Sequence, residues 1–454
     1  MPPRSTRQKI CEHARECKKA KQDIIEMETI EVQSKNPINN NSLIKTTPSN
    51  MVLGSFLSGT SYPANKIILT ANGQKPCSRS AFFEKQAIVA PKVENLGIET
   101  TYDAMEESVA LGHRRFSQDS RWSSKFNGME NTNSLFDVET GKLVSVFNTL
   151  KSRAGRETSF TSGSNMMESY GLEHIADQLQ ENFGDQMISI CHDGDNKSPK
   201  IYQKAGLQVD HHRDGGHGLN SIKNAFKKFK SDFYTIFGKR PYGSLDERIF
   251  RYAGYLFAKV NDRDLRVTLW KNVPNHLVGD HSKCCHFQRS PGRPRSTPCS
   301  PNDFEIWKKG IEIPFYKDHL QNFFDDTADI IQECSYSFNT AKNESFNANI
   351  GFLVPKRIDF KSSYCARASI AIGRNNDSNF DEKVIDTICP NINPSSKNLL
   401  LQYQAERNQM KEARSNKNEK KRRKQKKYMR KKAAPKYEPG DYNENKSEIF
   451  NSYK

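Results

Sequence analysis

Three acidic residues stand where chemistry on a phosphate would need them. Asp193 closes the apolar run of "ISICHDGDNKS" (188–198), and Asp195 follows it across a single glycine. Asp119 lies in "FSQDSRWSS", ahead of a hairpin pattern, and Glu344 in "TAKNESFNANI" opens a helical pattern beside a polar turn. Carboxylates brought together from separate segments are the ligands of a two-metal phosphoryl-transfer site. One ion activates the nucleophile there and the other stabilises the leaving oxygen. Hard oxygen donors suit Mg²⁺ or Mn²⁺. Each residue alone also reads as a turn or helix-start residue, because Asp, Gly and Asn are what turns use.

A second group of ligand types sits in "HLVGDHSKCCHFQRSPGRPRSTPCSP" (276–301), where His281, Cys284, Cys285, His286 and Cys299 crowd one loop. His281, Cys284 and Cys299, with His276 in reserve, are candidate Zn²⁺ ligands; a surface loop of free thiols is the alternative. Within it, "PGRPR" (291–295) resembles the core of an AT-hook, and Arg293 and Arg295 are its candidate minor-groove contacts. In "DHHRDGGHGLNSIKNAFKKFK", Asp214 and His217 fall at a helix start. Lys223, Lys227 and Lys228 give that helix a basic face suited to a nucleic-acid backbone.

These residues need a scaffold. "NSLFDVETGKLVSVFNTL" reads as two strands joined at Glu139–Lys142. "MMESYGLEHIADQLQENFG" has apolar residues at helical spacing, "QMISICHD" is a short buried strand, and "GHGLNSIKNAFKKFKSDFYTIF" is an amphipathic helix. Strand, strand, helix, strand, helix is an α/β pattern. Asp193 and Glu344 are 151 residues apart, far more than one crossover needs. An inserted, mainly helical segment from 241 to 338 accounts for the excess. The pattern divides the chain into an irregular region over 1–115, core segments over 116–240 and 339–400 around the insertion, and a basic tail over 401–454.

The composition agrees with a chain that is only partly globular. Its 454 residues are 35% hydrophobic and carry a net charge of +17. Between Lys411 and Lys436 there are fourteen Lys and Arg against Glu412 and Glu419, so this stretch holds +12 of that charge. Lys421, Arg422 and Arg423 lie in "KKRRKQKK", which fits a nuclear localisation signal or a nucleic-acid arm. The first residues lack the apolar run of a signal peptide, and no stretch is long and apolar enough to span a membrane. Ten irregularly spaced cysteines do not form a disulfide framework, so a reducing compartment is expected.

"QDSRWSS", "SGSNMMESYG", "HDGDNKSPKI" with "DGGHGLNSIKNAF", "GDHSKCC", and "NESFNANIGFLVPK" with "RASIAI" occur in an order that resembles Mutator-like transposases of the protist and animal branch. The resemblance covers about 116–376. It implies a ribonuclease-H-like core interrupted by a helical insertion, with Asp119, Asp193 and Glu344 as a DDE triad holding Mg²⁺ or Mn²⁺. Asp195 competes with Asp193 for the second place. The implied activity is metal-dependent phosphodiester hydrolysis at the ends of a DNA element and strand transfer into target DNA. The implied setting is the nucleus, as a homo-oligomer on DNA. One feature cuts the other way: "SVALGHRRFSQDS" is too polar for a central strand. That run favours the alternative of an inactive, domesticated DNA-binding descendant.

Overall fold

The computed structural model describes residues 46–123, 128–153, 158–194, 197–237, 245–277, 316–336, 338–356, 358, 360, 363–416, 421–423 and 425. Its centre is a six-stranded mixed sheet: β1 (Arg115–Trp122), β2 (Glu130–Asp137), β3 (Leu143–Leu150), β4 (Ile188–His192), β5 (Val209–Asp214) and β6 (Cys334–Ser335). The order across the sheet is β3-β2-β1-β4-β5-β6. β2 runs antiparallel to both β1 and β3, while β1, β4, β5 and β6 are mutually parallel. A sheet of this order with only its second strand reversed is that of a ribonuclease-H-like core.

The hairpin forms as its turn residues dictate. Gly141 takes φ +72°, which glycine adopts without strain. Asp137 accepts the backbone N–H groups of Glu139 (2.8 Å) and Thr140 (3.3 Å). Neighbouring strand residues point to opposite faces, so Leu135 and Phe136 serve different cores. On one face, Leu135, Phe116, Ile188 and Ile190 meet Ile175, Leu179 and Phe183 of α4 (Met167–Phe183) and Tyr202 of α5 (Ser198–Lys204). On the other, Phe136 and Leu143 meet Phe346 and Ile350 of α12 (Ala341–Leu353) and the apolar side of α13 (Tyr364–Asn376).

Two expectations are corrected. β1 lies in the interior of the sheet despite its polarity, paired to β2 through seven residues and to β4 through three. Its polar groups are satisfied by distant residues. Ser117 Oγ donates to Asn343 Oδ1 (2.7 Å), Gln118 Oε1 accepts from Tyr202 (2.7 Å), and Arg121 Nη2 donates to the Val354 carbonyl (2.8 Å). Buried polar groups cost stability only when left unpaired.

The second correction concerns 46–110, expected to be irregular. It forms α1 (Pro48–Ser58), α2 (Tyr62–Ala71) and α3 (Arg79–Ala110). The first half of α3 buries Phe82, Val89, Ala90 and Val93 in the core shared with α13, but from Gly97 its buried side is largely small and polar, with Thr100, Thr101 and Ser108. A Cβ on Gly97 would fall 2.6 Å from that of Ser369, which is why its periodicity is faint in sequence. The expectation for 1–45 concerns residues outside those described.

Between β5 and β6 runs the helical insertion: α6 (Gly215–Phe237), α7 (Leu245–Lys259), α8 (Arg263–Lys271), α9 (Val273–Leu277), α10 (Tyr316–Asp326) and α11 (Ala328–Glu333). It has its own core, in which Ile222, Phe226, Phe229 and Phe233 of α6 meet Ile249, Leu256, Trp270, Phe324 and Ile331. After α13, α14 (Phe380–Ile388) leads to α15 (Pro394–Ser415), a helix that runs into the region read as the basic tail.

Candidate active site

Each candidate carboxylate is delivered by a different element. Asp119 sits on β1, opposite Ser134 of β2. Asp193 follows the last residue of β4, where Gly194 takes φ +89° and turns the chain sharply out of the sheet. Glu344 is in the first turn of α12, placed by Asn343 one residue earlier. The Asn343 side chain is fully buried and joins helix to sheet. Its Nδ2 lies 3.1 Å from the carbonyls of both Ser117 and Ser134, and its Oδ1 accepts from Ser117 Oγ.

His217 ties two of the three carboxylates together. Its Nε2 is 3.5 Å from Asp193 Oδ1 and 3.6 Å from Glu344 Oε1. The ring is set by the start of α6. Asp214 Oδ1 accepts the N–H groups of Gly216 (2.7 Å) and His217 (3.1 Å), and its Oδ2 accepts the Thr340 N–H (3.0 Å). Thus Asp214 caps α6 and pins the residue preceding α12, so both helices that frame the site share one carboxylate. Thr340 Oγ1 also reaches Asp193 Oδ1 at 3.4 Å.

Asp119 completes the group electrostatically. Burial, then the Asp193 charge, pushes its carboxyl up to about 7, with Glu168 adding to the rise and the Ser120 N–H and His217 opposing it. Burial also lifts Asp193, with Asp214 and Glu344 adding and His217 opposing. Mutual repulsion of carboxylates that share one space is what a divalent cation relieves. The donor set is made of hard oxygens, with Asp193 (41%) and Glu344 (64%) open to solvent. One further observation fits such an ion: Asn347 Oδ1, next to Asp119, is buried without a hydrogen-bond partner. The residues present therefore suit Mg²⁺ or Mn²⁺.

The structure thus brings Asp119, Asp193 and Glu344 together, with Asp214 and His217 beside them. Lys223, Lys227 and Lys228 are all exposed on α6, opposite its buried phenylalanines. At 1.5 Å per residue, Lys223 stands about 9 Å along the helix axis from His217. Lys421, Arg422 and Arg423 are helical and exposed. Asp195, His281, Cys284, Cys285, His286, Arg293, Arg295 and Cys299 lie outside the described residues. Among the described residues, the group whose ligand atoms all lie within 4.8 Å of one another is not this triad but His113, Asp137 and Glu139 at the other end of β1, where the Asp137 carboxylate is occupied by His113, Thr140 and backbone N–H groups.

Sequence reasoning missed Asn343, Asn347, Glu168 and Thr340. The available signal was the spacing in "TAKNESFNAN": Asn343 and Asn347 are four apart, on one helix face, and flank Glu344.

No protein-family model matches this sequence, and no curated protein matches it. Among solved structures, the "Drosophila P element transposase strand transfer complex" is similar at 10% identity and a TM-score of 0.31, over 77% of this chain and 98% of that one. Among the described residues, no helix is long and apolar enough to cross a membrane.

Proposed function

We propose that this chain is a DNA transposase of the Mutator-like kind, cutting phosphodiesters at the ends of an element and joining them to target DNA. The observation that carries this reading is His217 bridging Asp193 and Glu344 beside Asp119, three carboxylates from three elements on a ribonuclease-H-like sheet. Asp119, Asp193 and Glu344 would hold the divalent cations. When bound, Mg²⁺ or Mn²⁺ acts as a Lewis acid on the phosphate and lowers the pKa of the attacking hydroxyl or water.

The chain's own residues do the positioning. Thr340 and His217 orient Asp193, Asn347 donates to Asp119 (2.7 Å), and Asn343 fixes the helix that bears Glu344. Water attacks the phosphorus and the 3′-oxygen leaves as a hydroxyl; that hydroxyl then attacks a target phosphodiester in line, and a second 3′-oxygen departs. Lys223, Lys227 and Lys228 face the DNA backbone, and the basic tail with Lys421, Arg422 and Arg423 adds sequence-independent affinity and nuclear import. A homo-oligomer on DNA suits a reaction that joins two ends. His281, Cys284 and Cys299 remain a proposed Zn²⁺ set, and Arg293 and Arg295 proposed minor-groove contacts. The polar run before Asp119 had favoured an inactive descendant, but β1 pairs on both sides, which removes that support.

The test is nicking of supercoiled plasmid with Mg²⁺ or Mn²⁺ varied, since it requires no knowledge of the element's ends. Wild type nicks in a metal-dependent way, and Asp193→Asn and Glu344→Gln each abolish it. Activity that survives both substitutions overturns the assignment.

A further inference from the structure

The helix that brings Glu344 to the site also carries Asn347, three residues on and so on a neighbouring part of the same face. Asn347 Nδ2 donates to Asp119 Oδ2 at 2.7 Å. Once ionised, as a bound cation would hold it, the Asp119 carboxylate only accepts hydrogen bonds, which fits the amide nitrogen facing it. The other half of the amide, Oδ1, is buried with no partner. A buried acceptor left unmade costs about 1–3 kcal/mol, so this oxygen, one of several such atoms among the described residues, is free to accept from a group entering the site.

The remaining oxygen of Asp119, Oδ1, accepts the Ser120 backbone N–H at 2.7 Å. Asp119 is therefore gripped at both oxygens, once by its own strand and once by α12. The grip from α12 is indexed by Asn343, one helical turn earlier, whose four contacts to Ser117 and Ser134 fix how that helix lies on β1 and β2. The consequence is mechanical: the distance between the Asp119 and Glu344 carboxylates is set by one helix holding both.

We infer that Asn347 is a positioning residue of the acidic site, holding Asp119 through Nδ2 and offering its buried Oδ1 as a neutral acceptor to the water shell of a cation bound there. The inference rests on the metal-site reading given above and deepens it. Ligating carboxylates are commonly oriented by a hydrogen-bonding neighbour, and removing such a neighbour weakens metal affinity by roughly 10–100-fold.

The test is Mn²⁺ binding to the full chain, followed by the electron paramagnetic resonance signal of free Mn²⁺, which needs no catalysis. Asn347→Leu keeps the volume and removes both polar atoms; Asn347→Ser, too short to reach Asp119, serves if the leucine variant does not fold, with circular dichroism in EDTA as the check. Asp119→Asn, Asp193→Asn and the Asn347→Leu/Asp119→Asn double variant are measured alongside. The expected result is a Mn²⁺ dissociation constant raised about 10–100-fold by Asn347→Leu. The double variant is then no weaker than Asp119→Asn alone, because the amide acts through that carboxylate.

Affinity within twofold of wild type in the Asn347 variants, with both aspartate variants weakened, overturns the inference and leaves the metal-site reading standing. Full additivity in the double variant overturns the role through Asp119. Unchanged Mn²⁺ affinity in every variant, both aspartates included, overturns the metal-site reading and this inference with it.

Discussion

Asp119→Asn should make the metal-free protein more stable while removing a group proposed to be essential. Burial and the neighbouring Asp193 charge raise the Asp119 carboxyl from its ordinary 3.8 to about 7. The unfolded chain releases that proton near pH 4, whereas the folded one keeps it to about pH 7. The carboxyl thus favours the fold least at high pH: wild-type stability falls as pH rises from about 4 to about 7 and levels off above. At 1.36 kcal/mol per pH unit, the full cost is about 4 kcal/mol. An asparagine escapes this cost but cannot accept from both Ser120 N–H and Asn347 Nδ2, which returns about 1 kcal/mol.

The side chain is partly exposed, so screening reduces the remainder to a net gain of about 2–3 kcal/mol at pH 8. Near pH 4 the two proteins should be about equal. Urea unfolding in EDTA at pH 5, 6, 7 and 8 reads the difference as a widening gap between midpoints. Added Mg²⁺ should narrow or reverse it, because only wild type gains from binding the ion. A variant whose gap from wild type does not grow between pH 5 and pH 8 would refute the argument that this site stores repulsion.

Other consequences follow from the same geometry. Asn343→Leu strips the Ser117 and Ser134 carbonyls of a buried partner and should cost about 3 kcal/mol in chemical denaturation, with nicking lost in proportion to misplacement of Glu344. His217→Ala leaves Asp193 and Glu344 without the group between them. It should push the Asp193 carboxyl further up and lower nicking by about tenfold or more at neutral pH, less so as pH rises. Changing Lys223, Lys227 and Lys228 together to alanine should reduce the slope of log affinity for DNA against log salt by about 3; an unchanged slope would place this face away from the backbone.

Much of the scaffold was legible because its signals are local. The hairpin announces itself by its turn, α4 and α6 by their spacing, and β4 by a short apolar run. β1 was misread because its polarity is balanced only by Asn343, Tyr202 and Val354, all distant in sequence. β2 is a stronger case: Asn131, Thr132, Asn133 and Ser134 are all fully buried. Thr132 meets the Tyr364 hydroxyl at 2.8 Å and Asn133 donates to the Glu168 carbonyl at 3.3 Å, pairings that no periodicity encodes. At the site, strand ends and helix starts pointed to Asp193 and Glu344. Asn347 was invisible, since an asparagine inside a helix looks like surface until its partner is known.

The chain departs from the sheet at Asp214 and comes back at Cys334–Ser335, where Arg213 pairs with Cys334 and Asp214 with Ser335. Exit and return are therefore side by side, and everything between them hangs from the sheet like an outgrowth from a single stem. Closing a longer chain across fixed ends costs only about 0.6 kcal/mol for each doubling of its length. The outgrowth can accordingly lengthen or shorten at little cost to the sheet, while the spacing of the carboxylates stays under the control of the stem.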